Sequence, residues 1–259
     1  MEYELIAELT REWVDEAGEM LRESLKNTSL KIEEKTNPSD LVTEMDRAIE
    51  AFFVEKIQKH FPDHKIFGEE GTYDEINDLS GFIWIIDPID GTLNYVKQKS
   101  NFCSMIALFK DGEGVLSFIN DVIHEDVYFG IKGKGVFCND RRLEAVPPHS
   151  LNEGLIAIST KMVTNESEKT KEVVQEALGV RLIGSAGLEM IQVLTNRVSA
   201  YITNDLSAWD IAQGYMLATE LGLTFTRRDG TPINLMEKNP ILVANSQAHK
   251  EIVSKFIKE

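Results

Sequence analysis

Apolar residues near the start of the chain recur at helical spacing. Leu5, Ile6, Leu9, Trp13, Ala17, Met20 and Leu21 fall between residues 4 and 26 with acids and bases between them, which predicts a long amphipathic helix. The turn-forming cluster Thr36-Asn37-Pro38-Ser39-Asp40 separates it from a second stripe, Ala48, Ile49, Phe52, Phe53 and Ile57, ending before Phe61-Pro62. The period then changes. Phe82-Ile83-Trp84-Ile85-Ile86 is a continuous apolar run, too short for a helix and closed by Asp87-Pro88, and it predicts a buried strand. From residue 102 to 138 the pattern is strand-like, with turn signals at Asp111-Gly112, Gly114, Gly130, Gly133 and Gly135, so several antiparallel strands are expected. Pro147-Pro148-His149-Ser150 is the best boundary in the middle of the chain. Beyond it the pattern predicts a strand at Leu155 to Ser159, a polar helix at about 165 to 178 and a strand at Val180 to Ile183. A helix at about 186 to 197, a strand at Ala200 to Thr203, a helix at about 208 to 221, and C-terminal strands and helix follow. Residues 1–146 thus read as an α+β half and residues 147–259 as an α/β half.

The composition is that of a globular protein with room for a sizeable core: 259 residues, 42% hydrophobic and 27% charged. Its charge narrows the choice of partners. With 27 basic against 43 acidic residues the net charge is −16, which disfavours binding to nucleic acid or to an anionic lipid surface. No run approaches the length of a membrane-spanning helix, and Met1-Glu2-Tyr3-Glu4 is acidic where a signal peptide is basic. Cys103 and Cys138 read as small buried hydrophobes in a reducing compartment. A soluble cytoplasmic protein is expected. The chain lacks a nucleotide-binding P-loop and a serine-hydrolase elbow. Gly112-Glu113-Gly114 and Gly133-Lys134-Gly135 read as turns, and Pro62 between His60 and His64 argues against a helical zinc pair.

Carboxylates carry the remaining chemistry. Asp87-Pro88-Ile89-Asp90-Gly91-Thr92 follows the buried strand, where open α/β sheets place ligands. Asp87, Asp90 and the Ile89 carbonyl can converge on hard cations, Gly91 permits close backbone approach, and the helix after Thr92 offers N–H groups to a phosphate. The same turn can equally serve as a helix cap. Gly68-Glu69-Glu70-Gly71 sets two acids side by side, which repel unless a cation or solvent relieves them. Ser207-Ala208-Trp209-Asp210 has capping-box spacing, and its acid is also held well enough to ligate a metal.

Gly68-Glu69-Glu70, Asp87-Pro88-Ile89-Asp90-Gly91-Thr92 and Trp209-Asp210-Ile211-Ala212 resemble, in order and spacing, the signature elements of the inositol monophosphatase family. Asp40-Leu41-Val42-Thr43-Glu44-Met45-Asp46, preceded by Lys35, matches a fourth motif, so the resemblance runs from about Lys35 past residue 220. It implies a layered α-β-α-β-α sandwich similar to fructose-1,6-bisphosphatase, and Mg²⁺-dependent hydrolysis of phosphate monoesters by a water molecule without a covalent intermediate. Carried over, Glu69, Asp87 and the Ile89 carbonyl would hold one Mg²⁺, Asp87, Asp90 and Asp210 a second, and a weaker third would rest near Glu69. Thr92, backed by Asp46, would activate the water, with Glu69 orienting it. Asp90, Gly91, Thr92, Gly184, Ser185, Ala186, Thr203 and Asp210 would face substrate. The family pattern also implies Li⁺ inhibition and a homodimer.

Two positions depart from the inositol-reading pattern: Thr203 stands where a glutamate is usual, and Ser207 where a histidine is often found. Inositol monophosphate is the expected small phosphorylated substrate, with the 2′-phosphate of NADP and fructose-1,6-bisphosphate as competitors and adenosine bisphosphate weaker. A haloacid-dehalogenase-like phosphatase spaces its aspartates two apart rather than three. A non-catalytic cation-binding module is the remaining alternative, although Asp87-Pro88-Ile89 does not fit an EF-hand loop.

Overall fold

The computed structural model describes residues 2–26, 31–35, 41–71, 76–164 and 168–257. The turn expected at Thr36 to Asp40, and residues 165–167 of the expected polar helix, lie outside them. The chain opens with α1 (Glu2–Ser24), a two-stranded ribbon of β1 (Ile32–Glu34) and β2 (Leu41–Thr43), and α2 (Glu44–His60). Next come β3 (Lys65–Gly68), β4 (Phe82–Asp90), α3 (Thr92–Gln98), β5 (Cys103–Lys110), β6 (Glu113–Asp121), β7 (Asp126–Ile131), β8 (Gly135–Cys138) and β9 (Arg141–Arg142). After a 3₁₀ turn at Leu151–Glu153 follow β10 (Leu155–Ile158), α4 (Thr160–Thr164), α5 (Glu168–Glu176), β11 (Gly179–Arg181) and α6 (Ala186–Leu194). The chain closes with β12 (Ala200–Leu206), α7 (Ala208–Glu220), β13 (Thr224–Arg227), β14 (Asn239–Ala244) and α8 (Ser246–Ile257).

β3 to β9 form a seven-stranded sheet in chain order, antiparallel except for the parallel pair β3–β4. The second sheet has five strands in the order β11-β10-β12-β14-β13. Helices cover both faces of each. Trp13 and Leu21 of α1 and Phe53 and Ile57 of α2 pack on Trp84, Ile86, Leu108 and Phe118. α6 and α7 fill the space between the sheets, where Leu188, Ile191, Ile211 and Leu217 meet Ile83, Ile85 and Met105 from one side and Tyr201 and Val243 from the other. α4, α5 and α8 close the far face through Met162, Val173 and Ile252. The result is the expected α-β-α-β-α sandwich.

Burial on both faces explains the continuous apolar run of β4. Ile83 and Ile85 point to the middle layer and Trp84 and Ile86 to the outer one, all fully buried. Each such side chain contributes about 1.5–3 kcal/mol relative to an exposed one. The strand does not stop at Asp87-Pro88, as the sequence suggests, but runs on to Asp90. Its register shifts between Asp87, opposite Met105, and Asp90, opposite Cys103. Three steps along β4 match two along β5, which is a bulge. Pro88 sits inside it, where a missing N–H removes no regular ladder bond.

Gly114 and Gly130 are a second correction: they are not turns but lie within β6 and β7. A Cβ at Gly114 would come within 2.6 Å of Met216 Cγ, and one at Gly130 within 2.8 Å of Leu217 Cδ2. Both residues lack a side chain because α7 presses on the sheet there. Gly114→Ala is therefore expected to destabilise the fold by about 1–3 kcal/mol, the usual cost of overpacking. Chemical denaturation checks this, and an unchanged midpoint would contradict the close approach of α7.

Candidate active site

The β4 bulge decides where the acids point. Alternation along a regular strand sends residues three apart to opposite faces. With the extra residue, Asp87 and Asp90 instead oppose Met105 and Cys103, which both face the middle layer. Asp210, in the first turn of α7, reaches the same place: one oxygen from each of Asp87, Asp90 and Asp210 lies within 4.8 Å of the others. Asp87 is 1% exposed, and neither of its oxygens has a hydrogen-bond partner among the described residues. Burial first, then the charges of Glu69, Asp90 and Asp210, drive its pKa well above the carboxylate range.

Asp90 differs, because its oxygens are already bonded. Oδ2 accepts from Ser185 Oγ at 2.5 Å and Gly187 N at 2.7 Å, and Oδ1 from Ala186 N at 3.2 Å. An acid at the start of α6 satisfies free N–H groups and meets the positive end of the helix dipole. Burial raises its pKa and these donors oppose the rise. Cys103 Sγ also lies 3.4 Å from Oδ2, so this buried free cysteine belongs to the site's wall. Asp210 combines both of its sequence readings. Its Oδ2 accepts the Ser207 N–H at 2.6 Å, capping α7, while the carboxyl faces the cluster. Burial, then Asp90 and Glu69, push its pKa up to about 8.

Thr92 lies beside the cluster at the start of α3. Its Oγ1 lies 3.1 Å from Asp46 Oδ1 and 3.0 Å from the Ile89 carbonyl, so its single proton has two acceptors within reach. Asp46 is fully buried and also caps α2, its Oδ2 accepting from Thr43 N at 2.7 Å and Thr43 Oγ1 at 2.6 Å. Burial raises its pKa against those bonds. The Glu69-Glu70 pair finds its relieving cation within the chain: Lys35 donates to Glu69 at 2.9 Å and to Glu70 at 2.5 Å. Burial still lifts the Glu69 pKa to about 7, with Lys35 opposing. Trp209 packs edge-on against Phe67, ring centroids 5.4 Å apart, and ties the start of α7 to the strand that leads into Glu69.

Of the positions expected on the substrate side, Gly91, Gly184 and Ser185 lie against one another. Gly91 (φ +90°) caps α3, and a Cβ there would lie 3.1 Å from Ser185 Cβ and 3.5 Å from the Gly184 carbonyl. Gly184 has φ +86°, a conformation glycine adopts without strain. Ser185 is the N-cap of α6, with Ala186 its first residue. Thr203 is buried in β12, and Ser207 caps α7.

Three polar residues that hold this arrangement escape the sequence reading. Asn94 Nδ2 donates to the carbonyls of Asn101 at 2.8 Å and Ile183 at 3.0 Å. Glu189, 1% exposed, accepts the Ile183 and Gly184 N–H groups. Glu50, also 1% exposed, accepts the Glu70 N–H at 2.9 Å. For the two glutamates the available signal is an acid within the apolar stripe of an amphipathic helix; Asn94 gives none.

The three carboxylates, with two oxygens buried without partners, suit a hard divalent cation such as Mg²⁺ better than a soft one. Asp87, Asp90 and Asp210 could hold it, and a cation would remove the repulsion that keeps protons on them.

Comparison with known proteins gives a consistent picture. The family model described as "Inositol monophosphatase family" matches residues 2–259. An inositol-1-monophosphatase of Bacillus subtilis (strain 168) is 40% identical over 256 residues, covering 97% of this chain and 96% of its own. A crystal structure of an IMPase/NADP phosphatase complexed with Mg²⁺ and phosphate superposes with a TM-score of 0.92 at 27% identity, over 100% of this chain and 97% of that one. A staphylococcal inositol monophosphatase-1 in a LiCl-soaked inhibitory complex gives a TM-score of 0.92 at 28% identity, over 99% and 96%.

The buried acids make stability depend on pH in a fixed direction. In the metal-free fold burial pushes Asp210 up to about 8 and Glu69 up to about 7, whereas in an unfolded chain both ionise at about pH 4. Between about pH 5 and pH 8 the folded state holds protons the unfolded state has released, so stability falls as pH rises. The melting temperature of the metal-free protein should therefore drop across that window, and Mg²⁺ should raise it most at the alkaline end. Asp87→Asn should flatten the slope. Scanning calorimetry checks this, and a melting temperature that rises with pH would contradict it.

Proposed function

The chain belongs to the inositol monophosphatase family of phosphoric monoester hydrolases, and from that premise we propose that it hydrolyses inositol monophosphate to inositol and phosphate with Mg²⁺. The observation that carries the reading is Asp87, a buried carboxylate with two unpartnered oxygens beside Asp90 and Asp210, next to a threonine already paired with an acid. Asp87, Asp90 and Asp210, with Glu69 and the Ile89 carbonyl, would hold the metal. Bound Mg²⁺ would supply the positive charge that brings a phosphate to the acidic cluster and stabilises charge on its oxygens in the transition state.

The chain's own groups supply the rest. The Thr92 hydroxyl donates toward Asp46, which leaves its oxygen lone pair to accept a proton from an attacking water. As water attacks phosphorus, its proton passes to Thr92 Oγ1 and the threonine proton to Asp46 Oδ1. The ester P–O bond breaks, and the inositol oxygen leaves with its electron pair and takes a proton from solvent. Asp46 keeps its geometry throughout because Thr43 holds its other oxygen. Gly91 and Gly184 both hold positive φ, and the missing Cβ at Gly91 lets the turn after Asp90 close against Ser185, so that backbone N–H groups there would meet the phosphate.

Thr203 and Ser207 favour a wider substrate range than inositol monophosphate alone. A pocket wall without the usual carboxylate and imidazole discriminates less among hydroxyl patterns. The 2′-phosphate of NADP and fructose-1,6-bisphosphate are the competing substrates. Inhibition by Li⁺, a cytoplasmic location and a homodimeric state complete the proposal; no helix among the described residues is long and apolar enough to cross a membrane.

A phosphate-release panel tests the reading, with inositol-1-phosphate, NADP, fructose-1,6-bisphosphate and adenosine bisphosphate, each with and without Mg²⁺ and Li⁺. Inositol-1-phosphate should turn over fastest, only with Mg²⁺, and Li⁺ should inhibit. Asp87→Asn should lose about a hundredfold or more, the equivalent of several kcal/mol of charge stabilisation. No Mg²⁺-dependent release from any monoester would overturn the proposal. Thr92→Val, which removes the hydroxyl and keeps the shape, should lower kcat about 10²–10⁴-fold, the usual worth of general base catalysis, with little change in KM. Near-normal turnover in that variant would remove Thr92 from the proton path.

A further inference from the structure

α2 carries two buried acids one turn apart. Asp46 and Glu50 lie four residues apart and so share a helix face. Asp46 serves the threonine pair, whereas Glu50 has no place in the chemistry described above. Yet keeping a carboxylate there is costly. Glu50 is buried on the same helix as Ile49 and Phe53 of the outer core, and its Oε1 has no partner among the described residues. An apolar side chain of similar size would fill the space at lower cost.

What the carboxylate touches explains its presence. Oε2 accepts the Glu70 N–H at 2.9 Å, and the Gly71 N–H lies against the same group. On the other side Gly68 makes room for it: a Cβ there would lie 2.3 Å from Oε2 and 2.6 Å from Cδ. Glu50 thus fills the inside of the turn whose outer corner is Glu69. Lys35 holds the side chains of Glu69 and Glu70, while Glu50 holds the backbone behind them.

We propose that Glu50 is a positioning residue: by accepting the Glu70 N–H in the turn at residues 68–71, it fixes the direction from which the Glu69 carboxylate approaches Asp87 and Asp210. The inference rests on the reading of Glu69 as part of the metal site. One helix face then aligns both parts of the water-handling machinery, Thr92 through Asp46 and Glu69 through Glu50. Glutamine at position 50 would keep the size but present an amide donor where the turn needs an acceptor. Alanine at position 68 would push the carboxylate out by a different route.

The test compares Glu50→Gln, Glu50→Ala, Gly68→Ala and the Glu50→Ala/Gly68→Ala pair with the wild-type full chain. Hydrogen exchange reads the Glu70 and Gly71 amides, calorimetric titration reads Mg²⁺ affinity without substrate, and kinetics on inositol-1-phosphate read kcat and KM. Each single variant should speed exchange at Glu70 and Gly71 and weaken Mg²⁺ binding about 10–100-fold, the range for groups that orient metal ligands. KM at saturating Mg²⁺ should stay within about twofold, because a positioning group behind a metal ligand does not contact the substrate. The double variant should lose no more than Glu50→Ala alone, since the two act through one contact. Unchanged Mg²⁺ affinity in Glu50→Gln and Gly68→Ala, or a loss of melting temperature with exchange at residues 70–71 unmoved, would overturn the proposal. If the wild-type protein releases no phosphate, the functional reading fails by itself, and the exchange and calorimetric data still decide the role of Glu50.

Discussion

A carboxylate with both oxygens buried and unbonded is among the more costly groups a fold can contain, and Asp87 is one. Its neighbours do not relieve it: Asp90 and Asp210 stand within 4.8 Å, and Glu69 adds its charge. A chain that retains such a cluster is shaped for a ligand that brings positive charge. The surrounding architecture follows from this constraint. A bulge turns two strand acids to one side, one helix start satisfies the second acid, and another helix start delivers the third. Metal sites invert the ordinary rules of burial in this way, because the cation is the largest local charge.

The division of labour among the acids follows from their partners. Asp90 is saturated by the first turn of α6 and so fixes that helix as much as it serves the cluster. Exchanging it for asparagine would set an amide donor against N–H donors and disturb α6 and the acidic cluster together. Asp87 has no such second duty, so its loss reports on the site alone. Lys35 bridges Glu69 and Glu70, so this outlying acid pair is partly neutralised by the chain itself.

Much of this was legible in the sequence because the chemistry is local. Asp87 and Asp90 stand three apart after an apolar run, and Asp210 stands at a helix start beside a tryptophan. The layer order was accessible only through family resemblance. The bulge was not legible: Asp-Pro reads as a strand end, and only pairing with β5 shows the strand continuing. Gly114 and Gly130 misled because a glycine that makes room for a distant helix looks like a glycine that turns a chain. Glu50 and Glu189 were hidden for a related reason. An acid in an amphipathic helix is assigned by default to solvent, and its backbone partners lie 20 residues away in one case and across a loop in the other.

The contact at Gly114 also acts along α7. Met216, whose side chain rests where the glycine has none, lies six residues after Asp210 on the same rigid helix, about 9 Å along its axis. The bare strand surface is therefore a bearing against which the helix is seated, and the carboxylate is the working end of the rod. A displacement at the bearing is carried to the working end nearly undiminished, since a helix hardly compresses along its length. The tolerance of the proposed metal site is thus machined into a strand that supplies none of its three carboxylates.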